Sequence, residues 1–226
     1  LLVMANYMKS YVATPDQFKQ CVRKSKDYGA DIIYVVDSAG NMNMDDIAVY
    51  YDAVREIGDI QLGFHGHNNL GMAVSNSLFA MKLGFDFVDV SVSGMGRSSG
   101  NAAAELVVAN IIKDEGDSAY DCQKIIEIAN RYIKPIYKHD QLNALDIYSG
   151  IAGFHTSYMK YIHKYASKYN VNPLELIVSY AENDKVNMDE DLLKNIAEKM
   201  SMTNRGSYVE YGFNEYYGNE QMGEKC

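Results

Sequence analysis

Two histidines separated by a single residue are the groups in this sequence best suited to bind a metal ion. They lie within residues 63–69, which read GFHGHNN. In a β-strand, residues two apart point to the same face, so the imidazoles of His65 and His67 are predicted to project side by side. Two such rings can bind one divalent cation at about 2.0–2.1 Å. The alternative is a structural pair whose rings are satisfied by hydrogen bonds near a loop.

Two further segments carry polar or glycine residues after apolar runs. Residues 93–101 read SGMGRSSGN, a glycine-rich turn that could present backbone N–H groups to an anion and pass close to a ligand. The alternative, which this segment favours when taken alone, is a plain loop with Asn101 as the cap of the next helix. Asp37 and Ser38 end another apolar run. Ser38 could hydrogen-bond a carboxylate or keto oxygen and Asp37 could support a metal ligand, although the pair taken alone favours a turn.

The elements that would position these groups repeat along the first hundred residues. Apolar strand-like runs begin near Val3, Asp31, Gln61 and Asp86, at intervals of 25 to 30 residues. Amphipathic helical patterns separate them. Strands that alternate with helices at this spacing predict parallel βα units, in which runs such as IIYVV are buried on both faces.

Helix start and stop signals support the same reading. Thr14, Pro15 and Gln17 form a predicted capping box with proline in the first helical position, and Gly29 ends that helix. Further helices are predicted at about 45–57 and 71–83, each closed by a glycine, and in the stretch AAAELVVANII that follows Asn101.

A doubly wound sheet and a (β/α)8 barrel would both account for this alternation. The strands are apolar until their carboxyl ends, where polar residues gather, as in the active-site face of a barrel. No GxGxxG or GxxxxGK[ST] segment follows the first strand, so a nucleotide site has no support. We therefore predict an α/β fold containing the last four units of a partial (β/α)8 TIM barrel. Because a barrel needs eight units, strands are missing, two chains combine, or the sheet stays open.

Beyond residue 116 the pattern becomes helical, with predicted helices at about 120–132, 144–169 with an internal glycine break, 173–181 and 188–200. The predicted organisation is a half-barrel at 1–116, a helical C-terminal domain at 117–202 and a mostly disordered tail at 203–226. The chain opens in an apolar strand without an initiating Met, so we expect residues to precede Leu1.

Composition excludes several classes of protein. The formal net charge is −9, which disfavours a nucleic-acid partner because such binding needs clustered Lys and Arg. Three widely spaced cysteines argue against a disulfide framework or a zinc knuckle and indicate a reducing, cytoplasmic setting. The longest apolar runs have strand length, so no membrane span is predicted.

The three loops together resemble a known family. The segments VVDSAGNM, GFHGHNNLGMAVSNSLFAMKLG and VDVSVSGMGRSSGNAAAEL look like the last strands and loops of the pyruvate-type, metal-dependent aldolases and lyases. This family includes 4-hydroxy-2-oxovalerate aldolase, hydroxymethylglutaryl-CoA lyase and the isopropylmalate and homocitrate synthases. The resemblance continues through SGIAGFHTS at 149–157 to about Met200, and the helical part is most similar to that of the hydroxy-oxovalerate aldolases.

The resemblance implies roles for particular residues. His65 and His67 match metal ligands, Asn101 matches a position at or beside the metal, and Ser38 matches one near the bound keto acid. His155 stands where the most similar aldolases carry a tyrosine that lines the aldehyde end of the pocket. A catalytic role for His155 in proton transfer and a structural role between helices are both open.

The resemblance also implies partners and a limit. It implies a divalent cation, for which we expect Mn²⁺, with Mg²⁺ and Zn²⁺ as alternatives. It also implies a 2-oxo acid substrate, an acylating aldehyde dehydrogenase as a partner and an oligomeric state. The acidic metal ligand and neighbouring arginine of the family's first strand have no counterpart in this sequence. We therefore expect an aldolase for 4-hydroxy-2-oxo acids with little activity alone. The alternatives are an acyl-CoA-using synthase or lyase and a non-catalytic interaction module.

Overall fold

The computed structural model describes residues 1–116, 119–137, 143–203 and 206–216. The chain divides into two compact units, unit 1 over 1–141 and unit 2 over 142–226, and each is described by itself. The predicted domain boundaries at 116 and 202 stay predictions. Within the described ranges, no helix combines the length and apolar character that crossing a membrane requires.

Unit 1 is built on a four-stranded parallel sheet in the order β1-β2-β3-β4. The strands are β1 (Met4–Tyr7), β2 (Ile32–Asp37), β3 (Gln61–Gly66) and β4 (Phe87–Val88). The helices are α1 (Pro15–Asp27), α2 (Met44–Arg55), α3 (Ala73–Leu83), α4 (Ala104–Glu115) and α5 (Cys122–Ile128), the last running into a π-helical turn (Ala129–Ile133). Short 3₁₀ turns cover Ser10–Val12 and Val92–Gly94. The predicted α/β class and parallel βα order are confirmed.

Local signals set the helix boundaries. The Thr14 hydroxyl accepts a hydrogen bond from the Gln17 N–H (3.3 Å), and the Gln17 amide oxygen accepts one from the Thr14 N–H (2.9 Å). This confirms the predicted capping box at the start of α1. Asn43 and Asp46 form a second box at the start of α2. At the end of α3, Gly84 adopts φ 101°, a left-handed conformation that glycine reaches without steric cost.

The sheet of unit 1 buries residues on both faces. One face packs against the helices, and its core members from β2 and β3 are Ile33, Val35, Leu62 and Phe64. The other face carries the residues that alternate with them, and Ile32, Tyr34 and Val36 are buried there beside Phe87. Because side chains alternate along a strand, this second face is also the one on which His65 stands.

Unit 2 is helical over its described residues. Its helices are α6 (Ala144–Ala152), α7 (Met159–Tyr169), α8 (Pro173–Ala181) and α9 (Glu190–Met202), with 3₁₀ turns at Thr156–Tyr158 and Phe213–Tyr216. Gly153 (φ 65°) ends α6, so the predicted glycine break within 144–169 is observed. Leu145, Ile162, Leu176, Tyr180 and Leu193 are fully buried in its core.

The C-terminal residues 206–216 differ from the predicted disordered tail, because their aromatic side chains pack individually into unit 2. Phe213 is 1% exposed and stacks on His163, with ring centres 4.5 Å apart and an interplanar angle of 7°. The Tyr216 hydroxyl donates a hydrogen bond of 2.8 Å to the buried carboxylate of Asp146. A sequence without periodicity gave no sign of these contacts. Residues 204–205 and 217–226 of the predicted tail lie outside the described residues.

Replacement of Phe213 by alanine tests the packing of this segment. We expect Phe213→Ala to lower the free energy of unfolding by about 3–5 kcal/mol, the usual cost of truncating a buried phenylalanine. Urea unfolding followed by far-UV circular dichroism measures the change. Val209→Ala is the control, because Val209 is 42% exposed and its truncation should stay within about 0.5 kcal/mol. Equal effects of the two substitutions would contradict the observed packing.

Candidate metal and substrate site

The two candidate histidines lie at the carboxyl edge of the unit 1 sheet. His65 pairs with Val36 in the register of β3 against β2. His67 follows the strand, and its backbone N–H donates to the Asp37 carbonyl (3.1 Å). His67 also forms an isolated antiparallel bridge with Asn101. The loop after β2, the end of β3 and the glycine-rich loop therefore meet at one edge, as the sequence predicted.

The separation of the two imidazoles suits one shared ion. The ring centres of His65 and His67 are 5.2 Å apart, and the ring planes are inclined by 76°. Rings this close can contribute one nitrogen each to a single divalent cation.

His67 is held neutral by its surroundings. The ring is buried, and burial, followed by the positive charges of Arg97 and His65, lowers the pKa of His67 from 6.5 to about 3. Hydrogen bonds from the ring to the backbone at Arg97 and Gly100 oppose this shift. The neutral imidazole is the form that binds metal ions. The buried Nδ1 atom of His67 has no hydrogen-bond partner in the described part of the chain.

Asn101 presents a second polar atom of this kind. Its amide nitrogen donates to the Met95 carbonyl (3.2 Å), whereas its buried Oδ1 has no partner among the described residues. The two atoms, Nδ1 of His67 and Oδ1 of Asn101, thus belong to residues that a β-bridge joins. A bound cation would satisfy both atoms, each of which is otherwise buried without a hydrogen bond among the described residues, at a cost in free energy. The interpretation of Asn101 as a helix cap is wrong, because Ala103 is the N-cap of α4.

Close backbone approach in the glycine-rich loop explains two of its glycines. A Cβ atom on Gly96 would lie 2.6–2.8 Å from the amide of Asn101. A Cβ atom on Gly100 would lie 2.1 Å from the Gly94 carbonyl oxygen, and Gly100 has φ +78°. Because glycine has no Cβ atom, the loop can fold in this way only with glycine at positions 96 and 100.

His65 has an acidic neighbour that the sequence reasoning missed. Its Nδ1 atom lies 3.0 Å from Oδ2 of Asp89. Burial, followed by the nearby Asp89 charge, raises the pKa of Tyr34 to about 12. His65, Asp89 and Asn101 line a cavity of about 420 Å³. The available signal was alternation along the run DFVDV, which places Asp89 on the same face as Phe87.

The side chains of Asp37 and Ser38 each accept hydrogen bonds from backbone N–H groups. The Asp37 carboxylate accepts hydrogen bonds from the backbone N–H groups of Asn41 and Met42, each at 2.9 Å. Burial raises the pKa of Asp37 to about 6, against the opposing effect of these bonds. Ser38 Oγ accepts a hydrogen bond from the Lys9 N–H (2.9 Å). The Asp37 contacts are those of the turn that the sequence offered as the alternative, whereas the Ser38 contact joins this turn to the segment after β1. A substrate-binding role for either residue stays a prediction.

His155 belongs to unit 2, whereas the other candidate residues belong to unit 1. Its side chain is fully buried, and its Nδ1 atom lies 2.6 Å from the Ser157 hydroxyl. Its predicted catalytic role stays a prediction. Among the described residues, no group of three or more His, Cys, Asp or Glu side chains is arranged to hold a metal ion. The site in this chain is therefore a partial set of two imidazoles and one amide oxygen.

Comparison with known proteins places this arrangement in a family. The HMGL-like family model matches residues 3–131, and the model of the DmpG-like communication domain matches residues 141–202. A 4-hydroxy-2-oxovalerate aldolase of Carboxydothermus hydrogenoformans is 30% identical over 199 residues, which are 88% of this chain and 59% of that protein. The corresponding aldolase of Thermomicrobium roseum is 32% identical over 191 residues, covering 84% of this chain and 54% of that protein.

Solved structures show the same fold at lower identity. The carboxyl transferase domain of Rhizobium etli pyruvate carboxylase matches with a TM-score of 0.64 and 17% identity, covering 90% of this chain and 37% of that one. The HMG-CoA lyase of Brucella melitensis matches with a TM-score of 0.52 and 22% identity, covering 57% of this chain and 50% of that one. These two likenesses concern the fold alone.

The parallel sheet with paired imidazoles at its carboxyl edge is an α/β arrangement, and the family model and the relatives give the chain its resemblance to aldolases and lyases. The chain belongs to the HMGL-like family and carries a DmpG-like communication segment after it. The resemblance found in the loop sequences is thus confirmed, as is the likeness to aldolase and lyase enzymes. The chain spans about 59% of the length of the first curated relatives it matches.

Substitution of Gly63 tests the packing beside His65. A Cβ atom on Gly63 would lie 2.3–2.5 Å from carbons of the Tyr34 ring, so Gly63→Ala must displace that ring. We expect a loss of about 1–3 kcal/mol in the free energy of unfolding, typical of overpacking, measured by urea unfolding. In a Tyr34→Ala background the same substitution should cost no more than about 0.5 kcal/mol. An equal cost in both backgrounds would contradict the close contact.

Proposed function

We propose that this chain is the C-terminal half of a divalent-metal-dependent (β/α)8-barrel aldolase that cleaves or forms a 4-hydroxy-2-oxo acid, with pyruvate as one product. The observation that carries the proposal is the pair of imidazoles, His65 and His67, with ring centres 5.2 Å apart. Beside them lies the amide oxygen of Asn101, which has no hydrogen-bond partner among the described residues. The relatives named 4-hydroxy-2-oxovalerate aldolase, at 30–32% identity, support this substrate class.

In this proposal His65 and His67 bind the ion and Asn101 supplies or supports a third ligand. Mn²⁺ is the expected metal, with Mg²⁺ and Zn²⁺ as alternatives, since two imidazoles with oxygen ligands suit all three. When bound, such an ion supplies Lewis-acid chemistry to a carboxylate and a keto oxygen. His67 is ready for this role at neutral pH because its pKa of about 3 keeps the ring uncharged.

The remaining site residues act on the substrate. The backbone of the glycine-rich loop at residues 93–101 passes within contact distance of Asn101 and orients a bound 2-oxo acid. The Ser38 hydroxyl has used one acceptor position on the Lys9 N–H, and its proton is free to be donated to a keto or carboxylate oxygen. The Asp37 carboxylate hydrogen-bonds the backbone of the turn that carries Ser38, and so holds this turn in shape.

His155 is proposed to move a proton at the aldehyde end of the substrate. Its imidazole is oriented by the Ser157 hydroxyl, 2.6 Å from Nδ1. An imidazole held in a fixed orientation is the kind of group that moves protons in catalysis. The structural alternative, a histidine buried between helical segments of unit 2, predicts that its replacement changes stability and leaves the pH profile of turnover unaltered.

The proposal assigns the missing groups to the other half of the barrel. An aldolase site of this type needs an acidic metal ligand and a cation beside the developing enolate. The described residues do not complete such a set. We therefore propose that these groups come from strands outside this sequence and that the chain alone has little activity. The DmpG-like communication segment at 141–202 supports docking to an acylating aldehyde dehydrogenase.

Metal titration tests the ligand assignment. We expect Mn²⁺ to bind the full chain and the double variant His65→Ala/His67→Ala to bind it at least about 100-fold more weakly, because both nitrogen ligands are removed. Isothermal titration calorimetry measures both affinities. His163→Ala is the control for nonspecific imidazole binding, since His163 lies in unit 2. Unchanged affinity in the double variant would refute the assignment.

A product assay separates the aldolase from the acyl-CoA alternative. With Mn²⁺ present, we expect slow release of pyruvate from a 4-hydroxy-2-oxo acid, abolished by His65→Ala/His67→Ala, because metal loss removes the Lewis acid. No CoA should be released from an acyl-CoA. Pyruvate is measured with a coupled dehydrogenase and CoA with a thiol reagent. Metal-dependent CoA release would favour the synthase or lyase. A stable complex with an aldehyde dehydrogenase, without metal binding, would favour a non-catalytic module.

A further inference from the structure

We propose that Asp89 is the positioning residue of His65. The inference rests on the proposed function, since it concerns how one of the proposed ligands is presented to the ion. The sequence did not single out Asp89, whose role follows from its contact with the His65 ring.

The contact fixes which nitrogen of His65 can bind a metal. The Nδ1 atom of His65 lies 3.0 Å from Oδ2 of Asp89. An ionised carboxylate only accepts hydrogen bonds, so Nδ1 must carry the proton and Nε2 must carry the lone pair. A carboxylate bonded to the far nitrogen of a ligating imidazole sets both the tautomer and the rotation of the ring. The Nε2 atom of His65 therefore points away from Asp89 and offers its lone pair to a metal ion.

Three adjacent strands bring these groups together. In the register of the sheet, Tyr34 on β2 stands opposite Gly63 on β3, which stands opposite Phe87 on β4. The Asp89 N–H donates to the Phe64 carbonyl (3.0 Å), which places Asp89 beside His65 at the end of β4.

The Tyr34 ring packs on the same face of the sheet. A Cβ atom on Gly63 would lie 2.3–2.5 Å from the Tyr34 ring, so the ring lies directly over the Gly63 backbone. Burial, followed by the nearby Asp89 charge, raises the pKa of Tyr34 to about 12, so the phenol stays neutral on this face.

His65 needs such a contact more than His67 does. The His67 ring is buried, so packing already fixes it. The His65 side chain is 24% exposed, and packing leaves its rotation less constrained. The Asp89 side chain is 42% exposed, and an ion pair this accessible contributes little to stability. Loss of Asp89 should therefore weaken metal binding and leave the fold intact.

Metal affinity gives the first readout. In isothermal titration of Mn²⁺ into the full chain, Asp89→Asn should weaken binding by about 10- to 100-fold, the usual effect of removing a carboxylate that orients a ligand. Asp59→Asn is the charge-matched control, because Asp59 is fully exposed. The control should bind Mn²⁺ like the parent chain.

Nuclear magnetic resonance of the metal-free chain gives a second readout, which does not depend on enzymatic activity. In ¹⁵N-labelled protein, at a pH where imidazole is uncharged, His65 should be the Nδ1–H tautomer, and Asp89→Asn should remove this preference. Unchanged tautomer and unchanged Mn²⁺ affinity in Asp89→Asn would overturn the positioning role alone. Failure of the parent chain to bind Mn²⁺ would overturn the proposed function together with it. If Asp89→Asn does not fold, Asp89→Ser, which also removes the carboxylate, takes its place, and unchanged Mn²⁺ affinity and tautomer in that variant would overturn the proposal.

Discussion

Backbone hydrogen bonds hold β3 in parallel register between β2 and β4, so that Val36, His65 and Asp89 lie side by side at one edge of the sheet. Every feature of the candidate site follows from this register. A shift of one residue would turn His65 towards the helices and bring Leu62 or Phe64 to the site face. The buried apolar residues of β2 and β3 prevent that shift, because it would expose the core packed against the helices. The hydrophobic core therefore determines where the imidazoles point.

Glycines allow the polar groups to approach one another at this edge. Gly63 leaves space for the Tyr34 ring, and Gly96 and Gly100 let the loop after β4 fold onto Asn101. Each of these positions brings a backbone or ring within a distance that a Cβ atom would block. The consequence is a site assembled from short strands and tight loops, in which His67 and Asn101 are buried with polar atoms unpartnered in the described part of the chain. A bound cation would satisfy both atoms at once.

Unit 2 is stabilised differently, by aromatic and helical packing rather than by a sheet. Tyr180 is fully buried and its hydroxyl donates to the Asn187 carbonyl. The segment at 206–216 adds Phe213 and Tyr216 to the same core. The DmpG-like match over 141–202 covers the four helices of this unit. A compact helical unit with its own core is a suitable carrier for contacts with another protein, as the proposed communication role requires.

The sequence by itself determined the parallel βα order, the capping box at Thr14, the family and the paired histidines. These features depend on interactions between residues close in the chain, namely alternation along a strand, local capping bonds and short loop motifs. Only the tertiary structure decided that Asp89 contacts His65, that Asn101 faces His67 rather than capping α4, and that Phe213 is buried. Those contacts join residues between about 20 and 70 positions apart, where strand register and packing, not local pattern, select the partner.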